Sequence, residues 1–304
     1  MSPRAGSKEA TDPFQLFSEL AELPALIAAE ALPLPFEDST HQLWRCQTSD
    51  GEMVLKLCQQ DRVDKSPTWQ VIKQLFDFDL SEELSQFDKV QQIIEQYGLF
   101  PVPELVAFSG QKPRFPAFVL NRFVEGQSLH KDQLTDELVL QFARHVSGLH
   151  VRQQAGWGKL YQADRKAESW PECLLKALVH QAEQQTIGEP WLSLAVAQLA
   201  HINPRQFAPL MLDNRWDQFL VKAGKITALT DLDAFVFGPV ELELILLEYQ
   251  LDKKQAALFA SEYQKTIFMP DLSQQRLCYR LLLFLMNALG ERDIDRWMQA
   301  PVSW

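Results

Sequence analysis

The chain has 304 residues, 46% of them hydrophobic, with 40 acidic against 29 basic side chains and a formal charge of −11. That length fits one or two domains with an ample core, and the acidic balance disfavours nucleic acid, whose binding needs clustered Lys and Arg. The longest apolar run, residues 281–286, falls far short of the ~20 residues of a bilayer span. Residues 1–12 are polar and lack the apolar segment of a secretory signal, so a cytoplasmic protein with no membrane partner is expected. Cys46, Cys58, Cys173 and Cys278 form no CxxC pair and have no nearby His, which argues against a disulfide frame or a zinc site. The acidity suits a cationic small-molecule ligand as well as an ordinary solvated surface.

Residues 13–31 read as a helix or helix pair, with Phe14, Phe17, Leu20 and Leu23 at three-residue spacing before Pro24 interrupts. Residues 41–48 and 52–58 are β-rich runs around Ser49-Asp50-Gly51, and an Asp-Gly pair in that setting predicts a hairpin. A helix over 84–97 presents Phe87, Val90, Ile94 and Tyr97 on one face and ends at Gly98. Strands follow over 105–109 and 116–121. Beyond residues 122–126 helical periodicity dominates. Thr135 caps a helix carrying Asp136 and Glu137 in its first turn and Leu138, Phe142, Val146 and Leu149 as its buried stripe. Val240, Leu244, Leu247 and Leu251 mark another helix, and 277–289 reads as a core helix closed by Gly290. The one β signal in this half is a hairpin of 219–221 and 225–230. No pattern over 170–203 translates into a substrate site. The division predicted is an extension at 1–34, a small sheet-rich lobe at 35–121 and a larger helical lobe at 122–304.

The familiar nucleotide, zinc-protease and serine-hydrolase motifs are missing. What stands out is an acidic pair, Asp213 and Asp231, bracketing that hairpin 18 residues apart. A loop carboxylate, a hairpin and a second carboxylate can meet at the hairpin's open end. There they can divide phosphoryl transfer, one receiving or orienting a hydroxyl proton and the other holding Mg²⁺ on nucleotide phosphates.

The nonapeptide Asp213-Asn214-Arg215-Trp216-Asp217-Gln218-Phe219-Leu220-Val221 resembles the catalytic loop of the aminoglycoside phosphotransferase and choline kinase-like family, H-G-D-x-x-x-x-N followed by apolar residues. Asp213 falls on the catalytic Asp, and Asp231 on the metal-binding Asp about a dozen positions after that apolar run. Val54-Leu55-Lys56-Leu57 resembles the strand presenting the phosphate lysine, and residues 98–103 resemble the family's G-x-P-V-P step. Residues 118–126 resemble the hinge, with Asn121 in the gatekeeper position. Leu149-His150, Trp157-Gly158, and Gly238 with Glu243 resemble further family landmarks, so the resemblance spans about residues 35–250. The sequence departs from the pattern at Met211 in place of His, Leu212 in place of Gly, and Gln218 in place of the metal-binding Asn.

The resemblance implies an α+β, protein-kinase-like two-lobe fold and an ATP- and Mg²⁺-dependent phosphotransferase acting on a hydroxyl of a small molecule. It implies Asp213 as catalytic residue, Asp231 and Gln218 as metal ligands, and Lys56 as the phosphate contact with Glu83 or Asp88 as its acidic partner. Backbone groups of Arg122 and Val124 are expected at the adenine. Ser39 and Thr40, from the glycine-poor loop 36–40, are expected at the phosphates, with Glu37 and Asp38 beside them. His150 is expected to be a satisfied packing residue. A degenerate kinase-like protein that binds nucleotide or a partner without transfer is the alternative, marked by Met211, Leu212 and Gln218.

Overall fold

In the computed structural model, residues 12–34, 36, 39–187 and 189–304 are described. Helix α1 (Pro13–Glu19) starts on Asp12, whose side chain accepts from the Phe14 N–H at 3.0 Å with Pro13 in the first turn. Strands β1 (Leu26–Ala31), β2 (His41–Thr48) and β3 (Gly51–Cys58) follow. Gly51 takes φ +107°, a conformation costly to any other residue, and the turn it closes sets Thr48 opposite Gly51 and His41 opposite Cys58. Alternation along β3 then gives the sheet its two faces. Met53, Leu55 and Leu57 pack with Leu16 and Phe17 of α1, whereas Lys56 and Cys58 look the other way.

Helices α2 (Gln60–Val63), α3 (Pro67–Phe76), α4 (Leu80–Glu83) and α5 (Phe87–Tyr97) lead to β4 (Leu105–Ser109) and β5 (Phe118–Arg122), and the sheet order is β1-β2-β3-β5-β4. The second half contains β6 (Gln127–Ser128), α6 (Asp136–His150), β7 (Gly156–Lys159), β8 (Gln162–Lys166), α7 (Trp170–Gln184) and α8 (Trp191–Gln198). It continues through β9 (Ala208–Met211), β10 (Phe219–Lys222), β11 (Lys225–Leu229), β12 (Phe235–Gly238), α9 (Val240–Gln250), α10 (Lys253–Tyr263), α11 (Arg276–Leu285) and α12 (Ile294–Met298). Thr135 caps α6 by accepting from the Leu138 N–H at 3.3 Å. The main core is continuous from Val71, Ile94 and Val119 of the first half to Leu178, Leu244 and Leu282 of the second. Among the described residues, no helix is long and apolar enough to cross a membrane.

Three expectations are corrected. Residues 26–31 form the edge strand β1, with Ala29 opposite Cys46, because cross-strand pairing outweighs the helix propensity of its alanines. The helical half carries a four-stranded sheet, β8-β7-β12-β9, besides the expected hairpin, which itself gains β6. Strands β9 and β12 are buried at every position and show no two-residue alternation, so periodicity could not reveal them. Helix α11 stops at Leu285, four residues early, because Asn287 turns into the left-handed region at φ 55°.

Candidate functional site

Asp213 leaves the end of β9, where Met211 pairs with Phe235 and the Leu212 N–H donates to the Ala234 carbonyl at 3.0 Å. Met211 and Leu212 are both buried. Apolar packing, roughly 1.5–3 kcal/mol per fully buried side chain, thus anchors the loop where the family pattern has His and Gly. A polar network supports it from beneath. Asn214 Nδ2 donates to Glu243 Oε1 at 2.9 Å, Glu243 Oε2 meets His150 Nε2 at 2.9 Å, and His150 Nδ1 meets the Tyr263 hydroxyl at 2.8 Å. Gln250 Nε2 donates to the Asn214 carbonyl at 2.6 Å. His150 is therefore the satisfied packing residue expected of it.

The Asp213 carboxylate accepts from Gln218 Nε2 at 3.0 Å and lies 3.4 Å from a guanidinium nitrogen of Arg215. Burial pushes its pKa up to about 6, Asp231 and Asp217 add to that, and Arg215 and Gln218 oppose it. Arg215 also bonds Asp217 at 3.1 Å and stacks 4.6 Å over the Phe36 ring, tying the loop to the segment before β2. Gln218 turns its amide nitrogen to Asp213, and its Oε1 is buried with no hydrogen-bond partner among the described residues.

Asp231 follows β11 at the open end of the hairpin, where the Thr230 N–H donates to the Gln218 carbonyl at 2.9 Å. Its Oδ1 lies 3.0 Å from Lys56 Nζ, and Lys56 is also 2.8 Å from Asp233 Oδ2. Burial opposes every charge in this cluster. Lys56 outweighs it at Asp231, holding that carboxyl below its usual range, and the two carboxylates hold the Lys56 ammonium above its own. Asp233, deeper and beside Asp231, is pushed upward. His41 Nε2 stands 3.6 Å from Asp233 Oδ2, and burial with Lys56 lowers its pKa to about 3, so the ring is neutral.

The expected helix partner for Lys56 is a correction. Glu83 instead accepts from Lys159 Nζ at 2.5 Å and from the Tyr161 hydroxyl, and Asp88 makes no ion pair among the described residues. At the hinge, the Arg122 N–H is spent on the Glu104 carbonyl at 2.8 Å, so only its carbonyl can meet a base. The Val124 backbone takes no hydrogen bond among the described residues. Asn121 is buried, and its Oδ1 has no hydrogen-bond partner among the described residues. The Thr40 hydroxyl lies 3.4 Å from His41 Nδ1, and the Ser39 carbonyl accepts from Arg62 at 3.0 Å. Glu37 and Asp38 lie outside the described residues.

Three residues that matter here, His41, Asp233 and Arg215, were not singled out from the sequence. Asp231-Leu232-Asp233 displayed its second carboxylate in plain view. The Asp-Gly hairpin register puts Leu43 opposite Lys56, so His41, two residues earlier, shares the face of Lys56 on the diagonal.

No cluster of three or more His, Cys, Asp or Glu side chains among the described residues forms a metal cage. The donors whose chemistry fits Mg²⁺ are the Asp231 carboxylate and Gln218 Oε1, both hard oxygens, the latter without a hydrogen-bond partner among the described residues.

The sequence pattern of the phosphotransferase enzyme family (APH) matches residues 33–277. No curated protein matches the chain in sequence. Among solved structures, a macrolide 2'-phosphotransferase from Brachybacterium faecium superposes with a TM-score of 0.57 at 12% identity, over 95% of this chain and 98% of that one. The GDP complex of aminoglycoside 2'-phosphotransferase-IIIa gives 0.56 at 14% identity, over 90% and 87%. A thermostable mutant of aminoglycoside phosphotransferase APH(4)-Ia, with ADP and hygromycin B, gives 0.61 at 15% identity over 92% of both chains. The fold is thus the two-lobed, kinase-like α+β fold of these enzymes, and the chain belongs to the phosphotransferase enzyme family.

Proposed function

We propose that the protein is an ATP-dependent phosphotransferase that moves the γ-phosphoryl group to a hydroxyl of a small molecule. The observation that carries this reading is the convergence of Asp213 and Asp231 at the open end of one hairpin, with Lys56 of the facing sheet 3.0 Å from Asp231. Asp213 accepts or orients the acceptor's hydroxyl proton, and its raised pKa makes it a better base than an exposed aspartate. Lys56 is the point charge for the α- and β-phosphates. Asp231 and Gln218 Oε1 hold Mg²⁺, which when bound neutralises charge on the phosphates. Ser39 and Thr40 border the phosphates. The base lies against Asn121, the Arg122 carbonyl and the Val124 backbone. The two lobes meet at the connector 122–126 and act as one unit in the cytoplasm. The acceptor is a polyhydroxylated small molecule, in keeping with the hygromycin B held by one structural neighbour, and the acid-rich chain favours a cationic one.

A second reading, nucleotide binding without transfer, draws on two observations: Lys56 is committed to two carboxylates, and the Gln218 amide is turned onto Asp213. Thermal melts with ATP, with and without Mg²⁺, followed by a phosphoryl-transfer assay on a panel of hydroxylated acceptors, separate the two. A ligand at 100 times its Kd stabilises by about 2.7 kcal/mol. Stabilisation that needs Mg²⁺ together with transfer supports the enzyme, and no nucleotide effect in either condition contradicts both readings.

A further inference from the structure

Lys56 is held in a way the sequence did not anticipate, and its surroundings say how. A buried ammonium needs a permanent counter-charge, because an unpaired charge in the interior costs several kcal/mol. Helix α5 supplies none. Glu83, the nearest glutamate ahead of it, is occupied by Lys159 and Tyr161 of the other half of the molecule. Two carboxylates do reach Lys56, and they differ. Asp231 is the more exposed, at 28% of its side chain, and faces the hairpin's open end. Asp233 is 3% exposed, bonds Lys56 at the shorter distance of 2.8 Å, and has His41 behind it. The neutral imidazole presents Nε2, without a hydrogen-bond partner among the described residues, 3.6 Å from the same Asp233 oxygen.

We propose that Asp233 is the positioning residue for Lys56, replacing a helix carboxylate, and that His41 braces Asp233 from β2. The inference rests on the phosphotransferase reading and deepens it. Lys56 shares Asp231 Oδ1 with any metal held there, and the bond to Asp233 lets the ammonium shift away without becoming unpaired. The lysine of the sheet is thereby registered against the segment that holds the metal, two residues from Asp231, and not against the helix. With Asp233 neutralised, Asp231 becomes the sole counter-ion of Lys56, and the ammonium competes with Mg²⁺ for it.

The test is calorimetric titration of the full chain with ATP in Mg²⁺, on wild type, Asp233→Asn, Glu83→Gln, Lys56→Met and the Asp233→Asn/Lys56→Met double variant, with melts to verify folding. Asp233→Asn should weaken Mg·ATP binding about tenfold, and the same change in the Lys56→Met background should cost almost nothing, since coupled residues are non-additive. Glu83→Gln should leave affinity within about twofold. His41→Leu should weaken binding in the direction of Asp233→Asn while leaving the melting temperature of the ligand-free chain unchanged or higher, because it removes an unsatisfied buried polar atom. His41→Gln should restore most of the affinity. An undiminished affinity in Asp233→Asn, a loss that persists without Lys56, or an equal loss in Glu83→Gln overturns the proposal while the phosphotransferase reading stands. Should Asp233→Asn fail to fold, the His41 pair decides: equal affinity in His41→Leu and wild type overturns the brace and the assignment with it. A wild type that binds no ATP overturns the phosphotransferase reading itself.

Discussion

The cleft, half-buried at Asp213 and Asp231, and the buried scaffold under it are both polar and only one residue apart at Asp213 and Asn214, yet their hydrogen bonding differs. In the scaffold, His150 has both ring nitrogens paired and Glu243 both oxygens, and Asn214 Oδ1 lacks a partner among the described residues. In the cleft, Gln218 Oε1, Asp233 Oδ1 and His41 Nε2 are buried without hydrogen-bond partners among the described residues. An unsatisfied buried group costs about 1–3 kcal/mol, so the three orphans of the cleft, against one in the scaffold, fit a surface that would complete its hydrogen bonding on binding. Substitutions in the two regions should therefore fail differently.

The largest expected effect is catalytic. Asp213→Asn should cut phosphoryl transfer by about 10²–10⁴-fold, the usual worth of a positioned general base, with ATP affinity and melting temperature nearly unchanged. Equal turnover in variant and wild type would remove Asp213 from the chemistry. Glu243→Ala should act in the opposite sense. It strands His150 and Asn214 in the interior and should lower the unfolding free energy by about 2–6 kcal/mol, at about 1–3 kcal/mol for each group left unsatisfied, measured by urea denaturation. Loss of transfer at full stability would instead make Glu243 a cleft residue.

Acid should separate the regions again. Because burial raises the Asp213 pKa to about 6, the carboxylate needed as base is lost as pH falls through that value. Transfer should decline about tenfold per unit below it. Protonation there relieves a buried charge, so Asp213 itself gives no loss of stability on acidification. A rate that stays flat down to pH 5 would contradict its role. Asn121→Phe should then narrow the space beside the hinge and weaken ATP about tenfold without unfolding the chain. Unchanged affinity would place the base elsewhere. The smallest effect is expected of Gln218→Asn, which shortens the amide while keeping its oxygen. Turnover should be preserved or raised within about threefold, and its abolition would show that the Gln218 contact to Asp213 is indispensable.

What was legible in the sequence follows the same physical division. The hairpin around Gly51, the capped helix α6 and the hairpin between Asp213 and Asp231 rest on local signals, and all three are found in the structure. Strands β9 and β12 went unseen because wholly buried runs carry no alternation. Strand β1 was misread because its pairing with β2 is decided by tertiary contact and not by its own alanines. The acidic partners of Lys56 are Asp231 and, two residues beyond it, Asp233, and neither lies on the helix that the resemblance implied. An ion pair between residues 177 apart in sequence leaves no periodic trace, and only the hairpin register hinted at His41.

The central claim, that the unsatisfied cleft is built for a metal-bound nucleotide, is tested most directly by titrating ATP calorimetrically in Mg²⁺ and in EDTA, on wild type and Asp231→Ala. Tighter binding in Mg²⁺ for wild type, with that gain lost in Asp231→Ala, is the predicted result; binding indifferent to Mg²⁺, or a metal gain that survives without Asp231, would contradict it.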